Sequence, residues 1–212
     1  VITPAEIRRR REAALAGHVG DEAAARRLLA DPSPRVRSSA LGALRRLGRI
    51  DDGEVAAMLA DPEPMVRRRA CEVAVSHPGV DLLTLLADHD PTVVEATAWA
   101  LGERGAAEAP AVAALSGVAA NHDDPLCREA AVSALGSIGH HGGLPAILAA
   151  TADKPAIRRR AVIALAPFEG DEVDAALRRA LEDRDWQVRQ AAEDLLDAGV
   201  GRGSPDPLGH PQ

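Results

Sequence analysis

The chain has 212 residues and a net charge of −7, and 46% of it is hydrophobic while only 1% is aromatic. With one Phe, no Tyr and two Trp, its interior has to be built from Ala, Leu, Val and Ile, which favours closely approaching helices. No apolar run is long enough to span a bilayer, Cys71 and Cys127 show neither CxxC nor zinc spacing, and an acidic chain argues against general nucleic-acid binding.

The charge is uneven. Residues 1–50 hold eleven Arg against Glu6, Glu12, Asp21, Glu22 and Asp31, a balance of +6, so the remainder carries −13. Lys154 is the only lysine, and nearly all positive charge is therefore guanidinium. Val1 leads straight into a charged helix, with no signal-peptide pattern. With two thiols expected to be reduced, the reading is a soluble, cytoplasmic protein acting as a monomer.

Along the chain, Thr3-Pro4-Ala5-Glu6 is a capping box with Pro at the first helical position. The helix it opens is an N-terminal cap over 1–19, with Ile7, Arg8 and Leu15 aligned on Val36, Arg37 and Leu44. Next comes Asp31-Pro32-Ser33-Pro34-Arg35-Val36-Arg37-Ser38-Ser39-Ala40-Leu41-Gly42-Ala43-Leu44, and the chain repeats it. Versions run from Asp61 to Ala74, Asp88 to Leu101, Asp123 to Leu135, Asp153 to Leu165 and Asp183 to Leu196. The opening apolar residues Val36, Val66, Val93, Cys127, Ile157 and Val188 lie 30, 27, 34, 30 and 31 residues apart, the spacing of a helical solenoid.

Each repeat predicts a first helix, near 22–30, 54–60, 80–87, 109–120, 143–150 and 172–182. A second helix follows near 35–47, 65–76, 92–103, 126–138, 156–166 and 186–197. Gly48, Gly105, Gly139, Gly170 and Gly199 are expected to stop helices. The six repeats cover 20–199 in one domain. The stretch 200–212 lacks any apolar period and is expected to be a disordered tail.

The pattern Asp-Pro-x-Pro-x-Val-Arg-x-x-Ala-x-x-Ala-Leu resembles HEAT repeats, especially the short bacterial HEAT-like kind also found in phycobilisome (bilin) lyases. The resemblance implies a right-handed all-α solenoid of six helix pairs behind the cap helix, with the second helices lining a concave face. It also implies a ladder of turn Asp and second-helix Arg linking successive repeats, with Asp31, Asp61 and Asp183 six residues before Arg37, Arg67 and Arg189, and Asp123 and Asp153 five before Arg128 and Arg158. Val94 interrupts that ladder. Exposed pairs of this kind contribute about 0–1 kcal/mol each.

On a helical wheel the interior takes Val36, Ala40, Ala43, Leu44 and Leu47, leaving three outward columns on each second helix. The first runs Arg9, Ser38, Arg68, Glu95, Glu129, Arg159, Gln190; the second contains Gly42, Glu72, Trp99, Ser133 and Ile163; the third contains Arg45, Val75, Gly102 and Gly136. Trp99 thus stands outward with Glu95 one turn away and Glu72 and Glu129 on adjacent repeats. An exposed indole amid carboxylates anchors a cationic group; the alternative is an indole filling a gap between helices. Arg68 and Arg159 also point outward, while the third Arg of each triplet, Arg69 and Arg160, lies toward a neighbour. Trp186 is expected to cover the end of the core.

Catalytic, cofactor and metal sites are not expected. His89, Asp90, His122, Asp123 and Asp124 lie on consecutive turns, which typically stand about 10 Å apart and so cap helices rather than share an ion. The di-iron HEAT-like hydroxylases carry repeated His-Glu pairs, and this chain has none. The function expected is a non-enzymatic scaffold that binds a protein or peptide, with a basic group, on its concave face. The alternative is a HEAT-like enzyme or enzyme subunit acting on a nucleobase, as DNA glycosylases do, or on a tetrapyrrole, as bilin lyases do. Glu95 and Glu129 break any continuous basic track for duplex nucleic acid.

Overall fold

The structure, a computed structural model, describes residues 2–200. Among these residues are twelve α-helices and no strand, the all-α solenoid of helix pairs that the repeat predicts. The chain divides into two compact units, Val1–Ala106 and residues from Ala107 onward. The tail expected after Val200 lies outside the described residues.

In the first unit the helices are α1 (Pro4–Val19), α2 (Glu22–Leu28), α3 (Pro34–Leu47), α4 (Asp52–Leu59), α5 (Pro64–Ala74) and α6 (Pro91–Glu103). Proline opens α1, α3, α5 and α6, where its missing N–H has no partner to lose. Thr3 Oγ1 accepts from the Glu6 amide, and Asp51 with Glu54 closes a full capping box on α4. Gly48, at φ 63°, ends α3 in the left-handed conformation that glycine adopts without penalty. α1, α3, α5 and α6 stack in turn, with α2 and α4 behind them. Val36, Leu41, Leu44, Val55, Val66 and Val73 are fully buried between these layers.

One expected helix takes another form. The stretch predicted near 80–87 is a 3-10 turn over Leu83–Ala87, with Asp81 accepting from the Leu83 amide at 2.9 Å. This repeat has the shortest spacing, 27 residues from Val66 to Val93, so it leaves room for only a tight return. Leu82 and Leu86 still reach the core.

The second unit contains α7 (Ala109–Asn121), α8 (Pro125–Ile138), α9 (Leu144–Ala150), α10 (Pro155–Ala164), α11 (Asp171–Leu181) and α12 (Trp186–Val200). α8, α10 and α12 stack in turn, with α7, α9 and α11 behind. Leu115, Cys127, Leu135, Ile147, Ile157 and Leu165 fill the interior. Gly139 ends α8 at φ 66°. Gly199 does not stop α12, which runs on to Val200.

The ladder is present, and it is more buried than expected. Arg9 meets Asp31, Arg37 meets Asp61, Arg67 meets Asp88, Arg128 meets Asp153 and Arg158 meets Asp183, at 2.6–2.8 Å. Each guanidinium approaches the next turn with Nε and Nη2 side by side on one carboxylate, as in Arg37 on Asp61 at 2.8 and 2.7 Å. In all but the first rung, Nη1 reaches back to carbonyls of its own turn, as in Arg37 to Asp31 at 2.8 Å. The Asp also accepts an amide of its own turn, Ser33 for Asp31 and Glu63 for Asp61. Asp31, Asp61, Arg67 and Arg158 are buried, so these are not the weak surface pairs expected from sequence. The rungs run within each unit.

The first rung also corrects the register of α1. Arg9, not Arg8, takes the ladder position, so the helix is shifted by one residue from the expected alignment. Ala13, Ala16 and Gly17 face inward, while Ile7 and Leu15 are exposed.

The glycines of the third outward column are not open surface. A Cβ on Gly17 would stand 2.8 Å from Ala43 Cα, and one on Gly136 would stand 2.6 Å from Ala164 Cβ. With α1 in its corrected register these are equivalent positions. A glycine on one second helix receives the alanine of the next, which lets α1 approach α3 and α8 approach α10 closely. Gly102, in the same column, is buried.

Candidate functional site: the outward faces of the second helices

In the first unit, α5 carries Arg68 and Glu72, and α6 carries Glu95 and Trp99. The stripe of Val93, Val94, Ala98 and Leu101 turns inward, which leaves Glu95 and Trp99 on the opposite side one turn apart. Trp99 is 45% exposed, with Glu95 and Arg68 also exposed. Glu72 is half-buried, and its carboxylate is held by Arg69 one turn earlier. That guanidinium lies across Gly42 of α3, where a Cβ would come within 2.6 Å of Nη2. Of the acids expected near Trp99 in this unit, Glu95 is therefore the one whose charge is not already matched.

Glu129 and Arg159 lie in the second unit, on α8 and α10. Glu129 is half-buried and accepts from Arg160 Nε at 3.4 Å; Arg159 is exposed. Both Arg triplets divide as the wheel predicts. Arg67 and Arg158 enter the ladder, Arg68 and Arg159 face outward, and Arg69 and Arg160 turn toward neighbouring groups.

Trp186 does not seal the end of the core. As the first residue of α12 it is 65% exposed. With Arg159, Ile163, Gln190 and Asp194 it lines an open groove of about 400 Å³ between α10 and α12. Gln190 Nε2 donates to Asp194 Oδ1 across one helical turn at 2.8 Å. Sequence reading missed this groove because the helix-opening position of the other repeats holds Pro, and a lone replacement there reads as an end cover.

The histidine-rich turns serve as local caps. Asp90 Oδ1 accepts from the Thr92 amide, Asp124 Oδ1 from the Leu126 amide, and His122 Nδ1 from the Asp124 amide. No group of three His, Cys, Asp or Glu among the described residues is placed to hold a metal ion. His77 Nδ1 meets Asp52 Oδ1 at 2.6 Å, tying the end of α5 to the start of α4.

Arg104 is a residue sequence reading passed over. From the end of α6 it donates to the carbonyls of Ala74, His77 and Val80, tying the turn that follows α5 to α6. Its burial pulls the guanidinium below the usual arginine range. Both thiols, Cys71 and Cys127, are buried and unbridged. Burial pushes Cys71 up, against the Thr97 hydroxyl 3.3 Å away.

A family model of HEAT repeats matches residues 52–136, 79–166 and 112–197. No curated protein matches the chain. Among solved structures, an engineered protein is 18% identical with a TM-score of 0.62, over 84% of this chain and 97% of that one. YibA of Escherichia coli is 16% identical with a TM-score of 0.58, over 78% of this chain and 63% of its own. A designed armadillo repeat protein in complex with the peptide (KR)4 is 17% identical with a TM-score of 0.52, over 90% of each chain. At these identities the likeness is one of fold. No helix among the described residues is long and apolar enough to cross a membrane. The Asp-Pro turns, the Arg ladder and the family match over most of the sequence agree, and the chain belongs to the HEAT-repeat family.

Proposed function

We propose that this protein is a non-enzymatic scaffold that takes a protein or peptide segment on the outward faces of its second helices, acting as a monomer. Trp99 is the anchor and Glu95 the companion charge. The observation that carries the reading is the 45% exposure of Trp99 in a chain so poor in aromatics. A large apolar face left in water beside an unmatched carboxylate suits a guanidinium or ammonium group. The complex of the designed armadillo protein with (KR)4 is an instance, in a related fold, of a helical-repeat surface holding alternating basic residues. Glu72 and Glu129 have a lesser part, because Arg69 and Arg160 already engage them. Arg68, in the same unit as Trp99, holds an acidic group of the partner, and Arg159 offers a like charge within the second unit.

The test is titration of a fluorescein-labelled octapeptide of alternating Lys and Arg into wild type, Trp99→Ala and Glu95→Gln. Loss of a central aromatic anchor costs about 2 kcal/mol or more, roughly a 30-fold weaker Kd, with little change in Tm. Equal binding by wild type and Trp99→Ala would remove the anchor. A large drop in Tm with unchanged binding would make the indole a packing residue.

A further inference from the structure

The outer face of α1 is a stacking surface that no described helix covers. Arg9 and Arg37 are equivalent ladder residues, which sets Arg8, Glu12, Leu15 and Val19 on the positions of Val36, Ala40, Ala43 and Leu47. On α3 the first three of these receive α1. Val36 and Ala40 pack with Ala13 and Leu28, and Ala43 lies with Ala16 and against Gly17.

On α1 the same stripe stays in water. Leu15 is 48% and Val19 73% exposed, and Arg8 and Arg11 are exposed beside them. A groove of about 310 Å³ runs along this face between α1 and α2, bounded by Arg8, Arg11, Leu15, Val19 and Ala24. A helix that ends a solenoid ordinarily turns a polar face outward, so an apolar stripe there marks an interaction surface.

The chemistry of the face selects its occupant. Leu15 and Val19 make the C-terminal half of α1 apolar, while Arg8 and Arg11 make the N-terminal half basic, within a stretch, residues 1–50, that carries +6 overall. Arginines set within the stripe, rather than beside it, suit paired carboxylates over insertion into lipid. A second copy continuing the array would find no rung: Thr3 stands where α3 has Asp31, the acceptor of Arg9, and Thr3 Oγ1 already accepts from the Glu6 amide. Two copies meeting α1 to α1 would bring like charges together. Helical rise puts Arg8 about 10 Å from Leu15, which is two turns of a facing helix.

We propose that this face takes an acidic amphipathic helix of a partner protein, stacked on α1 as α1 stacks on α3. Its carboxylates meet Arg8 and Arg11, and its apolar stripe covers Leu15, Val19 and Ala24. α3 and α5 separate α1 from α6, so this surface is distinct from that of Trp99 and prefers the opposite charge.

The test titrates a fluorescein-labelled peptide of about four helical turns, with Leu at heptad spacing flanked by Glu, into the full chain. Leu15, Arg8 and Arg11 are exposed, so Leu15→Glu and the double variant Arg8→Gln with Arg11→Gln should keep the wild-type Tm. Wild type binds saturably, and each variant weakens Kd about tenfold or more. Exchanging Glu for Gln in the peptide weakens wild type by a similar factor and leaves the double variant unchanged. The proposal is overturned by absence of saturable binding, by equal Kd in wild type and Leu15→Glu, or by a Gln peptide that binds wild type as the Glu peptide does. Vesicles of phosphatidylcholine with about one-third phosphatidylserine and sedimentation at rising protein concentration complete the experiment. Vesicle binding lost in Leu15→Glu would assign the face to lipid, and self-association lost in Leu15→Glu would assign it to a second copy; either result overturns the proposal.

Discussion

Arg67 and Asp88 face each other as two parallel hydrogen bonds, Nε to Oδ2 at 2.7 Å and Nη2 to Oδ1 at 2.8 Å, with both side chains less than a tenth exposed. Arg67 Nη1 also holds the Asp61 and Pro62 carbonyls. One side chain therefore fixes its own turn and the next. Arg67→Ala strands a buried carboxylate and should cost about 3 kcal/mol. Arg67→Lys, keeping the charge but losing the fork, should recover only part of that. Denaturant unfolding of both variants checks the order.

The same rungs give the protein a defined acid response. The arginine hydrogen bonds hold Asp153 and Asp183 below the ordinary carboxylate range. For Asp61 and Asp88 burial pushes upward, and the arginine bonds outweigh it. A folded-state value below the unfolded one means stability fully present above the unfolded pKa of about 3.9 and lost as pH falls through the lower folded values. Thermal melts should be level from neutrality to about pH 5 and fall steeply below about 4. Arg158→Gln should flatten that fall by removing one rung.

Identical Gly→Ala substitutions should have opposite signs at two sites. On α8, a Cβ at Gly136 would meet Ala164 at 2.6–2.7 Å, and overpacking of this kind costs about 1–3 kcal/mol. On α7, a Cβ at Gly117 would meet nothing within 4 Å, so Gly117→Ala should gain about 1 kcal/mol of helix propensity. Parallel melts of the two variants separate close helix approach from backbone preference.

Leu44 and Leu135 hold equivalent places in the two units, each at most 1% exposed. Replacement of either by Ala should cost about 2–5 kcal/mol. Cys71 provides a second readout, being buried with its thiol pushed up. Alkylation should be slow in the native protein and accelerate in Leu44→Ala as opening becomes more frequent.

The repeating turns made the helix pairs legible, since Asp, Pro and the following apolar stripe recur at the spacing of one helical hairpin. α1 misled by one residue because no Asp-Pro turn precedes it, and within Arg8–Arg11 any of four guanidinia matches the ladder residue by type. Only the fork on Asp31 distinguishes Arg9. Burial of the ladder was hidden for a related reason: Asp and Arg read as surface residues until the stacking of turns encloses them. Exposure of Trp99 followed from the wheel. The salt links of Glu72 and Glu129 did not, because they depend on where Arg69 and Arg160 settle. Gly136 read as open surface, whereas it is the point at which Ala164 enters.

Trp99 sits on α6 and Trp186 on α12, one indole in each unit, and the chain has no tyrosine. The protein thus comes with its own pair of optical reporters, both exposed to water and free of competing phenol emission. Exchanging either indole for phenylalanine leaves a chain whose fluorescence speaks for one half alone, so an event on either half can be followed without attaching a dye.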